Sequence, residues 1–348
     1  MPSFADKLLT WFDQFGRKNL PWQTPIHPYR VWVSEIMLQQ TQVETVIPYF
    51  NRFMERFPTI ELLAAAPQDD VLHLWTGLGY YARARNLHKC AQRVVEEFNG
   101  QMPKDATTLE TLSGIGRSTA GAIASIAYEQ PTAILDGNVK RVLARQYAVE
   151  GWPGKPAVMK VLWQHAETHM PTQRCRDYTQ AIMDLGATLC VRSKPLCTKC
   201  PVSQSCAAAQ QGNPQDYPGK KPKKTLPVKT VQMLLLRNAD GHILLEQRPP
   251  TGIWGGLWSL PELALDEPFQ DYTTEHVGDI NTHTQWAKMR HTFSHYHLDI
   301  HPVIVEVGPL RSKVMENNRQ LWYNLQKPQS LGLAAPVKKL LAQLDSLL

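Results

Sequence analysis

The sequence predicts two domains of different class: an all-α domain over residues 1–211 and an α+β domain over 231–348, joined by a linker over 212–230. Three observations predict it. As far as about Ala209, apolar residues recur at three-to-four spacing, broken at Pro or Gly. Pro214, Pro218, Pro222 and Pro227 then alternate with Lys220, Lys221, Lys223, Lys224 and Lys229, giving an extended, basic, core-free stretch. Beyond it, Val231–Leu236 and His242–Leu245 read as short strands around an Asp240-Gly241 turn. At 348 residues, the chain is also longer than one hydrophobic core commonly organises.

Taken in order, Phe4, Leu8, Trp11 and Phe15 recur at helical spacing with Asp6, Lys7 and Asp13 between them. That pattern is an amphipathic helix and not a signal peptide. Further helical patterning covers Val31–Phe57, Leu72–Phe98, Ala120–Ala127 and Val139–Val149. After the linker, strand-like runs appear at Leu298–Val305 and Leu321–Tyr323, and a helix is expected over Ala335–Leu347. No run reaches the roughly 18 apolar residues that span a bilayer. Hydrophobic content of 43% and charged content of 20% are those of an ordinary globular protein. A net charge of +6 favours a polyanionic partner without requiring one. The cytoplasm is the default setting. Thiols stay reduced there, so clustered cysteines read as a metal site before a disulfide framework.

Four of the cysteines form such a cluster: Cys190, Cys197, Cys200 and Cys206, spaced C-x6-C-x2-C-x5-C. Four thiolates at this range can surround one tetrahedral zinc or one cubane iron–sulfur centre. Only one C-x2-C pair is present, and the wider arms suit the larger centre, but the residues alone leave both open. Cys90 and Cys175 lie outside the pattern and read as packing cysteines. Upstream, Leu112-Ser113-Gly114-Ile115-Gly116 separates two helical runs. Its glycines would let backbone N–H groups approach a phosphate, and the following helix start adds a positive dipole end. An ordinary tight turn has the same look.

Two carboxylates stand in unlike surroundings. Glu35 lies in the apolar run Val31-Trp32-Val33-Ser34-Glu35-Ile36-Met37-Leu38, which suits a raised pKa. Asp136 opens Asp136-Gly137-Asn138-Val139 at a helix start, where an N-cap aspartate accepts backbone N–H bonds and stays ionised. Singly, each has a structural explanation. Together they match an N-glycosidic bond cleavage, in which one carboxyl protonates the leaving base and the other stabilises an oxocarbenium-like sugar.

These features together resemble the endonuclease III and MutY glycosylase superfamily. The cysteine spacing resembles its 4Fe–4S loop, the Gly114–Gly116 turn its helix–hairpin–helix, and Glu35-Ile36-Met37-Leu38-Gln39-Gln40-Thr41-Gln42 and Leu135-Asp136-Gly137-Asn138-Val139 the acid and aspartate motifs of the adenine-specific branch. The resemblance implies that Glu35 protonates adenine N7 and later helps activate water. Asp136 would stabilise or trap the oxocarbenium centre, and Asn138 would orient sugar-side groups. It implies an adenine pocket of Leu20, Trp22 and Gln180. Gly114, Gly116 and Ser118 would hold DNA. Gln40 and Tyr80, with Thr41 and Leu78 beside them, would fill the gap left by an extruded base. It further implies one 4Fe–4S cluster, double-stranded DNA carrying adenine opposite 8-oxoguanine or guanine as partner, a monomer, and a cytoplasmic, nucleoid-associated setting.

The C-terminal domain resembles the Nudix fold through Gly252-Ile253-Trp254-Gly255-Gly256-Leu257-Trp258 and Pro261. Between Glu262 and Asp279 the acids are scattered, with no Nudix box to hold magnesium, so a recognition module is expected and not a pyrophosphohydrolase. Phe293-Ser294-His295 resembles the loop of the adenine-specific branch that senses 8-oxoguanine. One departure carries chemistry. Relatives competent in strand cleavage have a lysine where this chain has Ser118, and a hydroxyl forms no Schiff base. A monofunctional glycosylase is therefore expected, with Lys140 the suspect for any weak trapping. A pyrimidine glycosylase and a non-catalytic lesion sensor are the alternatives.

Overall fold

The computed structural model describes residues 2–222, 225–310 and 319–347, so Lys223 and Lys224 of the linker lie outside it. By contacts the chain divides into two compact units: Met1–Ala65 with Asn86–Lys223, and Ala66–Arg85 with Lys224–Leu348. No helix among the described residues is long and apolar enough to cross a membrane.

The helices run in order as α1 (Phe4–Phe15), α2 (Pro28–Leu38), α3 (Val43–Arg56), α4 (Ile60–Ala65), α5 (Gln68–Trp75), α6 (Ala82–Phe98), α7 (Ala106–Glu110), α8 (Arg117–Tyr128), α9 (Gly137–Gln146), α10 (Pro156–His169), α11 (Cys175–Thr188), α12 (Ala207–Gln210), α13 (Phe269–His276) and α14 (Ala335–Asp345). In the first unit α2 is the central element. It starts with Pro28, whose missing N–H costs nothing at a helix start, and buries Val31, Trp32, Val33, Ser34, Ile36 and Met37 on nearly every face. α8 packs against it and buries Ala120, Ala122, Ile123 and Ala124. α11 lies against α1, α8 and α9.

The helical runs read as Val31–Phe57 and Leu72–Phe98 each break once. Gln39–Gln42 separates α2 from α3, with Gln40 in the left-handed region at φ 58°. Thr76–Tyr81 separates α5 from α6, where Gly77, Gly79 and Tyr80 all take positive φ. Apolar periodicity continues across both breaks, and only the second carries a mark in sequence, the Gly-rich stretch Gly77-Leu78-Gly79. The start of the linker lies along the helical unit: Gly219 N–H donates to the Gly151 carbonyl (3.0 Å) and Arg145 Nε to the Tyr217 carbonyl (3.0 Å).

Among the described residues, the second unit is built on an eight-stranded mixed sheet. Its strands are β1 (Val228–Arg237), β2 (Ile243–Gln247), β3 (Trp258–Ser259), β4 (Glu262–Leu263), β5 (Gly278–Gln285), β6 (Met289–Thr292), β7 (His297–Leu310) and β8 (Gln320–Tyr323). The order is β3-β2-β1-β7-β5, with β4 beside β1, β6 beside β7 and β8 beside β2. The parallel β1–β7 pair is central, and Met233–Leu236 of β1 are buried on both faces, which explains the unbroken apolar run. Leu234, Leu236, Leu244, Leu263, Val303 and Val305 make the core on one face, with Phe269 and Tyr272 of α13 packed onto it. β5 was invisible to hydropathy because, as a sheet-edge strand, it is largely exposed and polar.

Residues 66–85 join this unit through specific contacts. Asp69 accepts from Trp258 Nε1 (3.4 Å) and Gln247 Nε2 (3.3 Å). The Tyr81 hydroxyl donates to the Leu333 carbonyl (3.3 Å), and Arg85 Nη1 donates to the Gly255 carbonyl (2.7 Å).

Candidate active site

A cavity of about 880 Å³ opens in the helical unit, and Glu35, Asp136, Asn138, Leu20, Trp22, Gln180, Gln40, Thr41 and Ser118 all line it. Its size is that of a small-molecule site. Residues 20 to 180, scattered over five stretches of sequence, are thus brought to one place.

Glu35 reaches the cavity from the buried helix α2. Burial among apolar neighbours, then the nearby negative charge of Asp136, pushes its carboxyl up to about 8. It is therefore mostly protonated at neutral pH. Asp136 is the N-cap of α9 and accepts the Val139 N–H at 2.7 Å. Burial raises its pKa, while the Val139 and Asn138 amides and the positive charges of Arg141 and Lys140 pull the other way. The two carboxyls differ in surroundings: fixed N–H donors and cations face Asp136, whereas desolvation and a like charge are what act on Glu35. Two carboxyls in unlike surroundings share one cavity.

Asn138 donates to Asp136 Oδ2 at 3.4 Å, and its own Oδ1 accepts from Arg141 Nη2 at 2.8 Å. α9 and α11 come close at this point because position 186 has no side chain; a Cβ on Gly186 would stand 2.6 Å from the Asn138 Cβ. Ser118 is structural as well as cavity-lining: its Oγ accepts the Leu135 N–H at 2.9 Å, fixing the residue before Asp136.

Trp22 is buried edge-on against Phe50, with ring centroids 5.4 Å apart. Gln180 Nε2 donates to Asp184 Oδ1 at 2.8 Å. Asp184 is fully buried and also accepts from Arg17: its backbone N–H (2.7 Å), Nε (2.9 Å) and Nη2 (2.7 Å). Sequence reasoning missed Arg17, Asp184 and Arg141. Asp184 stands four residues from Gln180, and Arg141 three from Asn138, so helical spacing carried a signal for both. Nothing local points to Arg17, which lies 167 residues from its partner.

In the turn before α8, Leu112 and Ile115 are buried and hold it, while Gly114 and Gly116 are exposed. Gly114 has φ 80°, and a Cβ there would come within 2.8 Å of the Asn86 Cβ. Gly116 is the N-cap of α8, with no side-chain cap and open space where a Cβ would stand. The first N–H groups of α8 thus face an unobstructed approach.

Cys190, Cys197, Cys200 and Cys206 line one small cavity with Arg145 and Leu196. The buried Arg145 donates to the carbonyls of Cys190 (3.2 Å), Val191 (2.8 Å) and Arg192 (3.0 Å), pinning the loop to α9. Among the described residues, no three His, Cys, Asp or Glu side chains gather as around a single metal ion. A donor set of four thiols, without nitrogen or oxygen ligands, fits an iron–sulfur centre. Cys90 and Cys175 are buried elsewhere.

In the second unit, Tyr80 is half exposed at φ 50°, and Arg83 lies over its ring at 5.6 Å. Leu78 is buried, so it offers its turn and not its side chain. Phe293-Ser294-His295 forms the tip between β6 and β7, closed by Phe293 N–H donating to the Tyr296 carbonyl (2.9 Å), with Ser294 exposed. The acids of the sheet are engaged with side chains: Glu262 with Arg248 at 2.7 Å, and Glu246 with Tyr272 (2.9 Å) and Gln320 (2.7 Å).

A raised carboxyl beside a helix-capping aspartate, next to an open helix start, is equipment for chemistry on a polar ligand. Residues 33–168 match the HhH-GPD superfamily of base excision DNA repair proteins, and residues 232–343 match the NUDIX domain. In fold, the helical part is similar to a thermostable thymine-DNA glycosylase, with TM-score 0.54 and 28% identity over 60% of this chain and 95% of that one. It is also similar to endonuclease III in a non-covalent complex with DNA, with TM-score 0.50 and 23% identity over 60% of this chain and 94% of that one. The class is that of a DNA glycosylase. Over its whole length the chain is 38% identical to the adenine DNA glycosylase of Buchnera aphidicola subsp. Baizongia pistaciae, covering 98% of this chain and 96% of that protein. Against the adenine DNA glycosylase of Homo sapiens it is 36% identical, covering 85% of this chain and 65% of that protein. It belongs to the adenine DNA glycosylase family.

Proposed function

We propose that the enzyme hydrolyses the N-glycosidic bond of adenine mispaired with 8-oxoguanine or guanine in double-stranded DNA, as a monomer and without strand cleavage. The observation that carries this reading is the shared cavity of Glu35 and Asp136, with the Glu35 carboxyl raised to about 8. Glu35 donates its proton to adenine N7. The C1′–N9 bond then breaks, its electron pair leaves with the purine, and neutral adenine departs. The sugar is left as an oxocarbenium-like centre facing the Asp136 carboxylate. Water adds at C1′ and gives its proton to Glu35, which resets the acid. Asn138 holds the anion's second oxygen, and Trp22, Leu20 and Gln180 enclose the base.

Adenine in a duplex is out of reach, so it must be extruded at a cost of a few kcal/mol, which a mispair lowers. The Gly114–Gly116 turn and the start of α8, with Ser118, grip phosphate. Gln40 and Thr41 line the mouth of the cavity, and Tyr80 with the Leu78 turn serves the gap. Phe293, Ser294 and His295 read the partner base, where the hydroxyl meets the purine edge that oxidation alters. Cys190, Cys197, Cys200 and Cys206 would hold one 4Fe–4S cluster. When bound, it cross-links the loop that Arg145 fastens to the helix bearing Asp136.

Incubating purified protein with duplexes carrying A·8-oxoguanine, A·G or A·T, beside an iron count, tests the reading. Free adenine should come from the first two, leaving an unbroken abasic strand and no borohydride-trapped complex at the yield of a true lyase. Strand scission in step with base release, or no adenine release, would overturn it.

A further inference from the structure

The loop between Thr251 and Trp258 is more constrained than a surface loop needs to be. Trp254 is buried yet sits at φ 54°, a conformation that a bulky residue adopts only when its surroundings impose it. Gly255 follows, where a Cβ would meet the Pro250 carbonyl oxygen at 2.7 Å. The Gly255 carbonyl is the acceptor of Arg85 Nη1 at 2.7 Å, a charge-assisted bond from the segment that carries Tyr80. On its other side the Trp254 ring packs on Phe293 and His291, with centroids 5.2 and 5.6 Å apart. Phe293 in turn packs on Tyr296 at 4.7 Å, and Ser294 projects from the tip between them. A single line of contact therefore runs from Arg85, through the Gly255 carbonyl and the strained Trp254, to the ring that anchors the hairpin.

We propose that Arg85 and Trp254 form a strut that sets the position of the Phe293–Ser294–His295 hairpin, making both residues determinants of partner-base specificity although neither touches the base. The proposal rests on the reading that this hairpin senses 8-oxoguanine. Arg85 fixes where the Gly255 carbonyl lies, and that fixes the left-handed turn. The turn aims the indole at Phe293, and the hairpin takes its place against the indole. Losing either part leaves the hairpin intact but free to shift, so Ser294 no longer meets the altered purine edge.

The test compares single-turnover adenine release from A·8-oxoguanine and A·G duplexes for the full-length, cluster-loaded protein. Arg85→Met removes the donor, and Trp254→Asn removes the ring while keeping a residue tolerant of positive φ. Each should reduce the 8-oxoguanine-over-guanine rate ratio about fivefold or more, the scale of a typical coupling between sites. Release opposite guanine should be unchanged. Arg85→Lys and Trp254→Phe should restore most of the ratio, which a merely structural loss would not do. In a Ser294→Ala background, Arg85→Met should lower the ratio no further. If Ser294→Ala lowers the ratio while Arg85→Met and Trp254→Asn leave it alone, the strut is wrong and the hairpin reading stands. If Ser294→Ala also leaves it alone, the hairpin reading itself fails. Should Arg85→Met not fold, Trp254→Asn against Trp254→Phe decides by the same ratio.

Discussion

At the scale of single residues, Glu35 bears the chief cost of the site. Holding a carboxyl in an apolar helix is unfavourable once it ionises, and its pKa near 8 is the measure of that. Its folded pKa lies above the ordinary 4.5, so the stability gained from keeping the acid neutral is full below pH 4.5 and is lost as pH rises through about 8. Across that window the wild type should lose up to roughly 1.4 kcal/mol per pH unit from this group. Glu35→Gln stays neutral and should not. Urea unfolding at pH 5, 7 and 8.5 should therefore show the variant level with wild type at the lowest pH and increasingly more stable above it. Parallel curves for the two proteins would mean that Glu35 is not desolvated. The unlike surroundings of Glu35 and Asp136 were legible in sequence, because an apolar run and an N-cap are local patterns. The Arg17–Asp184 pair that backs Gln180 was not, because it is made only when α11 packs beside the chain after α1.

Elements translate these residues into geometry, and the turn before α8 separates two demands on glycine. Gly114 is needed for folding: a side chain there meets Asn86 and must hold a left-handed backbone, at a cost of about 1–2 kcal/mol. Gly116 has ordinary φ and open space, so any demand on it comes from a ligand. Gly116→Ala should leave the melting temperature unchanged and weaken binding to undamaged duplex several-fold, whereas Gly114→Ala should lower both. Thermal melts beside salt-controlled binding curves check this. Equal effects of the two substitutions on melting would remove the argument for a phosphate-facing backbone. The sequence showed this turn through its glycines and flanking Leu112 and Ile115. It concealed the break at Gln40, where a non-glycine residue takes positive φ and leaves no compositional mark, whereas Gly77 and Gly79 mark the turn at Tyr80.

On the scale of the whole molecule, the order of the chain and the order of its contacts differ. The apolar and polar texture divides the sequence at the basic linker, and two family models match at 33–168 and 232–343. By contacts, residues 66–85 go with the strands, because Asp69, His73, Tyr81 and Arg85 bond to groups between Gln247 and Leu333. Hydropathy could not reveal this: α5 has the same periodicity whether its apolar face meets helices or a sheet. The cysteine spacing was the opposite case, since four thiols within seventeen residues need little tertiary information to be recognised.

The central claim is that a neutral Glu35 and an anionic Asp136 divide the work of expelling a purine. Its most direct test is single-turnover base release by Glu35→Gln and Asp136→Asn, measured beside affinity for an A·8-oxoguanine duplex. Both variants should bind the lesion close to wild-type strength yet release adenine roughly 10²–10⁴-fold more slowly, as expected for loss of a positioned acid or its counter-charge. Turnover at the wild-type rate in either variant would contradict the account.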